Sequence, residues 1–231
     1  MTTMQLENVT NARRDDDKRR YDDACAAAHG MDLIGERWSM PLIRELLLGP
    51  RRFGDLKTSL NGISANVLTQ RLEGLEAAGV LVRRRLAPPA SVQVYELTPW
   101  GYEAAPIFQA LGRWAVRSPR HDPMRPFSPV SLMLSLRTML NPDVAGNLKA
   151  RIQLEMDGET YFWIRKKGEV RIGRGQIDDP DLILRGSPSQ IAGYVYAGAP
   201  LSSVEFDGDV KLAARLPSLF PMPEKARLSA A

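Results

Sequence analysis

The stretch over residues 53–81 constrains the fold of this chain most, because its leucines recur at helical spacing on either side of an Asn-Gly pair. The two apolar stripes are Phe53, Leu56 and Leu60 before the pair, and Leu68, Leu72 and Leu75 after it. Asn61 and Gly62 tolerate left-handed backbone angles and predict a sharp turn. Ser64 suits the N-cap of the second helix, and Gly79 its end. The sequence therefore predicts two helices joined by a tight turn.

The second helix of this pair turns polar side chains away from its leucines. On a helical wheel, Asn66, Thr69, Gln70 and Glu73 lie opposite the leucine stripe, with Val67 and Arg71 on its flanks. A helix held rigidly on one side can offer the other side to base edges in a DNA major groove. Gln70 and Asn66 suit adenine, and Arg71 suits guanine or a phosphate. A solvated helix face would look the same, so this pattern alone leaves both interpretations open.

Further elements surround the helix pair in a recognisable order. They are two helices within residues 21–48, a β-hairpin of residues 80–86 and 92–97, and a helix over residues 100–116. Pro41 suits the first turn of a helix, and the Pro-rich residues 87–90 predict the tip of the hairpin. The order helix, helix, helix, turn, helix, hairpin, helix is that of a winged helix-turn-helix.

Positive charge is concentrated in the same part of the chain. Between Arg37 and Pro99, nine Lys or Arg face five Asp or Glu, an excess equal to the net charge of the whole chain, +4. The candidates for contacts with DNA phosphates are Arg51 and Arg52 before the third helix, Ser64 at a helix N-terminus, and Arg83, Arg84 and Arg85 in the hairpin. Because side chains alternate along a strand, the three hairpin arginines are not all expected to face DNA.

The remaining composition excludes several classes of protein. A single cysteine, Cys25, excludes a disulfide within the chain. Residues 1–20 contain no apolar signal core, and no apolar run approaches the roughly 18 residues that cross a membrane, so we expect a cytoplasmic protein that does not bind membranes. Residues 1–20 are polar and charged and are predicted to be a flexible N-terminal arm or the frayed start of the first helix. Their basic residues could touch DNA phosphates, but three aspartates interrupt the cations, which favours a solvated tail.

The second part of the chain has a different pattern of predicted secondary structure. Four prolines between residues 117 and 129 predict a linker over 118–129, between a first domain over 21–117 and a second over 130–222. The second domain is predicted to be α+β. It begins with a helix over 130–140, continues with alternating strands that form an antiparallel sheet, and ends with a helix, a strand and a closing helix. Residues 223–231 are predicted to be a C-terminal tail.

The first domain resembles a known family. The segments MDLIGERWSMPLIRELLLGPRRFGDL, GISANVLTQRLEGLEAAGVLVRR and VYELTPWGYEAAPIF, together with Cys25 and Trp114, are similar to the HxlR family of bacterial winged-helix regulators over about residues 21–116. The resemblance implies a homodimer whose interface uses the first and last helices of the domain. It also implies a recognition helix that starts at Ser64, a wing over 80–97, and a palindromic operator in double-stranded DNA.

Cys25 matches the N-terminal cysteine that some members of this family use as a redox or electrophile sensor. Asp22 and Asp23 would raise the pKa of its thiol, whereas Arg19 and Arg20 would lower it. An unreactive cysteine near the dimer interface is the alternative.

The second domain resembles a sterol-carrier-protein-like domain, over about residues 130–220, through the segment LEMDGETYFWIRKKGEVRIGRGQIDDPDLILRGSPSQIAGYVYAGAPLSSVEFDGD. The resemblance implies a curved sheet and helices that enclose an apolar tunnel, and hence a small apolar effector. The candidate lining residues are Met156, Tyr161, Trp163, Ile172, Tyr194, Tyr196 and Phe206. The same side chains would also serve as an ordinary core.

Catalysis is not expected from this sequence. Its two histidines, His29 and His121, have no metal-ligand spacing, and the chain has no Gly-rich phosphate loop after a strand and no G-x-S-x-G elbow. We therefore predict no enzyme activity, no cofactor and no metal. Two functions remain open. One is a DNA-binding regulator controlled by a ligand, and the other is a lipid or small-molecule carrier whose winged helix serves dimerisation.

Overall fold

The structure is a computed structural model that describes residues 21–87, 91–123 and 125–227. The predicted N-terminal arm over 1–20 lies outside the described residues, as do positions 88–90 of the hairpin tip and the last four residues of the predicted tail. Within the described ranges, no helix combines the length and the apolar character needed to span a membrane.

The first half contains the helices and the hairpin in the predicted order. They are α1 (Ala26–Ile34), α2 (Ser39–Leu46), α3 (Phe53–Ser59), α4 (Ala65–Ala77), β1 (Leu81–Arg85), β2 (Gln93–Leu97), α5 (Pro99–Tyr102) and α6 (Ala104–Ala115). The hairpin is antiparallel, with Leu81 opposite Leu97. The helix predicted over 100–116 is divided at Glu103 into α5 and α6. This is the winged helix-turn-helix arrangement that the sequence predicted.

Helix α4 is fixed by its leucines and by its cap. Leu68, Leu72 and Leu75 are all at most 2% exposed and belong to one core cluster with residues of α2 and α3. The Ser64 hydroxyl accepts a hydrogen bond from the Val67 N–H at 3.2 Å, which satisfies one of the free donors at the start of the helix. Gly62 in the preceding turn has a φ of +89°, as the left-handed turn requires. The predicted stripe, cap and turn are thus confirmed.

The second half is an α/β sandwich of two layers. Its elements are α7 (Pro129–Met139), α8 (Pro142–Ala145), β3 (Ala150–Met156), β4 (Glu159–Lys166), β5 (Glu169–Arg174), β6 (Leu182–Arg185), α9 (Pro188–Tyr196), a 3₁₀ turn (Leu201–Ser203), β7 (Glu205–Gly208) and α10 (Val210–Leu219). The strand order in the sheet is β5-β4-β3-β6-β7. Side chains of α7, α9 and α10 join the inner face of this sheet in a second core cluster.

The sheet is mixed rather than antiparallel. Strands β3, β4 and β5 form the predicted antiparallel meander, but β6 pairs with β3 in parallel, with Ile152 opposite Leu182. The prediction was wrong at this point because alternation of apolar residues reveals a strand but not its direction. After β5 the chain returns across the sheet, and Asp181 fixes the entry to β6 by accepting the Arg151 N–H at 2.7 Å.

Polar contacts join the two halves. Arg174 of β5 donates hydrogen bonds to carbonyl oxygens at the end of α2, at 3.1 Å to Glu45 and 2.8 Å to Leu48. Arg51, which precedes α3, pairs with Glu159 of β4 at 2.6 Å. These contacts link the residues around the helix-turn-helix to the sheet of the second half.

The environment of Glu159 stabilises its charged form. Burial acts to raise the pKa of the Glu159 carboxyl, but hydrogen bonds from the Tyr161 hydroxyl and the Arg51 guanidinium, together with the charges of Arg51 and Arg174, lower that pKa overall. The carboxylate therefore contributes stability above the unfolded-state pKa of about 4.3, and this contribution is lost as the pH falls through the lower folded-state pKa.

We expect Glu159→Gln to destabilise the protein at pH 7 by about 1 kcal/mol, a modest value because the Glu159 side chain is 39% exposed. For a chain of this size the loss corresponds to a thermal midpoint lower by about 2–4 °C. The difference from the wild type should shrink below about pH 4, where the carboxylate becomes protonated. Thermal unfolding followed by circular dichroism from pH 3.5 to 7 measures it. Glu205→Gln, at an exposed position on β7, is the matched control, and an equal shift in both variants would contradict the role of the Arg51–Glu159 pair.

Candidate nucleic-acid interface

The face of α4 opposite the leucines is exposed. Ser64, Asn66, Thr69, Gln70 and Glu73 are exposed, and the flanking residues Val67 and Arg71 are half-buried. The side chains of Asn66 and Gln70 form no hydrogen bond with any residue that the structure describes. Both amides therefore keep their donors and acceptors available for an external partner.

Arg71 stands at the edge of this face and is already paired. Its guanidinium lies 3.0 Å from a carboxylate oxygen of Glu36, in the segment between α1 and α2, and its side chain is 22% exposed. The ion pair ties α4 to the first helices of the domain. Arg71 thus has a structural partner in addition to any role that we predicted at the DNA.

The arginines of the hairpin alternate as expected. Arg83 turns toward α4, where it pairs with Glu76 at 2.9 Å and lies over the Tyr95 ring. Arg84 points to the other face and pairs with Glu96. Arg85 donates a hydrogen bond to the Ser91 carbonyl at 3.2 Å.

The two arginines before α3 have different environments. Arg52 is exposed, and its guanidinium forms no ion pair with the described residues. Arg51 is held at the base of the wing, since its backbone pairs with Tyr95 and its guanidinium bonds Glu159. The structure therefore places Arg52 on the exposed surface and Arg51 in the junction between the halves. Sequence reasoning missed Glu159, because it lies 108 positions further along the chain.

Helices α1 and α6 present apolar side chains to the outside. Every residue of these two helices is exposed or half-buried. Ile107 is 54% exposed and Leu111 45%, and Trp114 reaches 76%. Met31 on α1 is exposed as well. Large apolar side chains that cluster on exposed helices are typical of a surface that contacts another protein.

Cys25 is exposed and stands at the N-cap of α1. Hydrogen bonds from the backbone N–H groups of Ala28 and Ala27 lower the pKa of its thiol. The expected increase from Asp22 and Asp23 is thus not the outcome, because the pKa of the thiol is lowered and the amides at the helix N-terminus cause the shift. Arg19 and Arg20 lie outside the described residues.

Most of the candidate lining residues of the second half belong to a closed core rather than to a tunnel. Met156, Tyr161, Trp163 and Tyr194 are buried, Ile172 and Tyr196 are half-buried, and Phe206 is exposed. The core contains a cavity of about 10 Å³, lined in part by Trp163, which is room for about one water molecule. The expected tunnel for an apolar effector is therefore not open in this structure. The candidate side chains occupy the space that a tunnel would need. The Tyr196 hydroxyl forms a hydrogen bond with the Ser135 hydroxyl at 2.8 Å.

A larger cleft of about 580 Å³ lies between the two halves. Its walls include α2, α3, residues 125–129 of the connecting segment, and the start of β4. Of the candidate site residues named from the sequence, Arg51 and Tyr161 line it. The sequence offered no signal for this cleft, because its walls come from segments that lie far apart along the chain.

Comparison with known proteins identifies the first half. A family model described as HxlR-like helix-turn-helix matches residues 33–122. The uncharacterized HTH-type transcriptional regulator YvaP of Bacillus subtilis is 36% identical over 86 residues, which are 37% of this chain and 79% of YvaP. The HTH-type transcriptional regulator YodB of the same organism is 36% identical over 84 residues, which are 36% of this chain and 74% of YodB.

Among solved structures, the reduced form of the redox regulator HypR is 26% identical and covers 39% of this chain and 90% of its own, with a TM-score of 0.37. The matched relatives are named as transcriptional regulators. Because YvaP and YodB are each 36% identical to this chain over 79% and 74% of their own lengths, the chain belongs to the HxlR-like helix-turn-helix family.

Proposed function

We propose that this protein is a transcriptional regulator that binds a palindromic operator in double-stranded DNA as a homodimer. Helix α4 enters the major groove, where Asn66 and Gln70 read base edges. Arg84 of the wing and Arg52 before α3 contact phosphates. The observation that carries this proposal is the exposed amide pair on a helix that its leucines hold rigidly.

The proposed organisation assigns one task to each half. Residues 21–117 form the DNA-binding and dimerisation domain, residues 118–129 the linker, and residues 130–222 a domain that regulates the first. The exposed apolar side chains of α1 and α6 support dimerisation through these helices. The alternative, a carrier of lipids, is disfavoured by the closed core of the second half, where a cavity of about 10 Å³ leaves no room for an acyl chain.

We expect Gln70→Ala and Arg84→Ala to have different effects on DNA binding. Loss of the Gln70 amide removes a base contact, which should weaken binding to the operator about tenfold and relax base preference. Loss of Arg84 removes a phosphate contact, which should weaken binding to all sequences alike. The slope of the logarithm of the binding constant against the logarithm of the salt concentration should fall in magnitude by about one.

Fluorescence anisotropy measures both effects, with an operator selected from random duplexes and a scrambled duplex, at several salt concentrations. Arg171→Ala, which removes an exposed arginine on β5, is the matched control and should change little. If Gln70→Ala lowered the affinity for both duplexes equally, its role as a base reader would be contradicted. If no sequence were enriched from the random duplexes, the proposed function would be contradicted.

We expect Leu111→Asp to dissociate the homodimer, because it buries a charge in the proposed apolar interface of α6. The dissociation constant of the dimer should rise at least about tenfold, as measured by sedimentation velocity over a range of concentrations. Val144→Asp introduces the same charge at an exposed apolar position on α8 and should leave the dimer intact. A Leu111→Asp dimer as stable as the wild type would place the interface elsewhere.

We also infer a role for Cys25 as an oxidisable input to this regulator, on the ground of its exposure and its lowered pKa. At pH 7 its thiol should react with iodoacetamide faster than free cysteine does, and diamide treatment should alter the operator affinity of the wild type but not of Cys25→Ser. Alkylation rates by mass spectrometry and anisotropy with the operator test both statements. A rate equal to that of free cysteine would contradict an activated thiol.

A further inference from the structure

A backbone segment outside the wing extends its hairpin. The Arg51 N–H donates to the Tyr95 carbonyl at 3.0 Å, and the Tyr95 N–H donates to the Arg51 carbonyl at 2.8 Å. Tyr95 is the central residue of β2, and β1 lies on the other side of that strand. A two-stranded hairpin has marginal stability by itself, so these two hydrogen bonds help to hold β2 in place.

The side chain of Arg51 joins that segment to the second half. Its guanidinium donates to a carboxylate oxygen of Glu159 at 2.6 Å and to the Ser59 hydroxyl at 3.4 Å. The Glu159 carboxylate also accepts a hydrogen bond from the Tyr161 hydroxyl, and the Arg174 Nε lies 3.6 Å from it. Because these other partners belong to the sheet, Glu159 is a fixed point to which the wing is attached through Arg51.

The other strand of the hairpin is attached to α4. Arg83 of β1 donates from its backbone N–H to one oxygen of the Glu76 carboxylate at 3.2 Å, and from its guanidinium to the other oxygen at 2.9 Å. The Arg83 guanidinium also lies over the Tyr95 ring, with 5.7 Å between its central carbon and the ring centroid. The two strands therefore have different supports, which are Glu76 of α4 for β1 and Glu159 of the sheet for β2.

The rotation of the hairpin decides where Arg84 lies. Leu81 and Leu97 are buried in the core of the first half, which fixes the start of β1 and the end of β2. Arg84 lies further along β1, and its side chain is 49% exposed. A hairpin that is supported along β1 alone can turn about that strand, whereas a support on each strand prevents the turn. The contact between Arg51 and the sheet supplies the support on β2.

We propose that Glu159 is a positioning residue for the wing. Through Arg51 it fixes the rotation of the hairpin, and thereby the distance between the Arg84 guanidinium and a DNA phosphate. The attraction between these two charges falls with distance, so a turned hairpin loses the phosphate contact. Glu159 thus contributes to DNA binding without contacting DNA. The effect on DNA binding rests on the proposed function, whereas the ordering of the hairpin by Glu159 does not.

Hydrogen exchange of the full-length protein, followed by mass spectrometry, tests the ordering of the hairpin without DNA. Glu159→Gln should accelerate exchange of the amides of residues 93–97, because β2 loses its support. The amides of α4 report any general loss of stability, so the acceleration in residues 93–97 should exceed theirs at least about threefold. Glu205→Gln, an equal change of charge on β7, should exchange as the wild type does. Equal acceleration of both segments in Glu159→Gln would overturn the proposal.

A second variant shows whether Glu159 acts through Arg51. Glu159 also contacts Arg174, so its loss can reach the end of α2 by another route. In an Arg51→Ala background, Glu159→Gln should leave the exchange of residues 93–97 relative to α4 unchanged, since the link to the hairpin is already broken. If Glu159→Gln accelerated this exchange as much in the Arg51→Ala background as in the wild type, the role of Arg51 would be overturned.

Fluorescence anisotropy with the selected operator tests the consequence for DNA binding. Arg84→Ala should weaken binding about threefold in the wild type but less than about 1.5-fold in Glu159→Gln, where the turned hairpin has already lost the contact. Gln70→Ala, which removes a base contact of α4, should weaken binding by the same factor in both backgrounds. Equal factors for Arg84→Ala would overturn the positioning role. Tighter binding of Glu159→Gln to all duplexes would also overturn it, because Glu159 would then withhold Arg51 from phosphates.

The exchange and binding measurements separate this proposal from the proposed function. If the hairpin loosens in Glu159→Gln but the wild type binds no selected DNA, the ordering of the hairpin by Glu159 stands and the proposed regulator fails. If the wild type binds its operator, and Glu159→Gln changes neither the exchange of the hairpin nor the factor for Arg84→Ala, only the positioning role fails.

Discussion

The burial of the α4 leucines against α2 and α3 is the contact on which the rest of the structure depends. Leu68, Leu72 and Leu75 set the rotation of α4 about its own axis, and this rotation alone brings Asn66 and Gln70 to the surface. A rotation of one residue position, about 100°, would bury an amide and expose a leucine, which both hydrophobic burial and hydrogen bonding oppose. The exposed amide face of α4 is therefore a consequence of the core.

The second half of the chain contacts α2 and the start of α3, the two helices on which α4 packs. Arg174 satisfies carbonyl oxygens at the C-terminal end of α2, which a helix otherwise leaves without donors. Arg51 joins the segment before α3 to β4 through Glu159. The helices that support α4 are thus stabilised by side chains from the second half of the chain. The polar contacts between the halves are thus made by residues next to α2 and α3, not by the core of the sheet.

The sequence predicted the parts of this protein that depend on local pattern. The helix pair, the Ser64 cap, the wing and most strands followed from the spacing of leucines, from turn residues and from alternation. The features that were missed depend on residues far apart in the chain. Three of them require knowledge of which distant segments meet: the parallel pairing of β6, the partner of Arg51, and the cleft between the two halves. Aromatic content likewise predicted an apolar interior but not whether Tyr161 and Trp163 would fill it.

The Arg174 contact has a consequence for biosynthesis. The first half leaves the ribosome well before β5, because 125 or more positions separate Arg174 from the carbonyls that it bonds. During that interval water must solvate the carbonyl oxygens at the end of α2, because the Arg174 side chain that bonds them has not yet been synthesised. When the sheet is complete, the Arg174 guanidinium takes the place of that water at the end of α2.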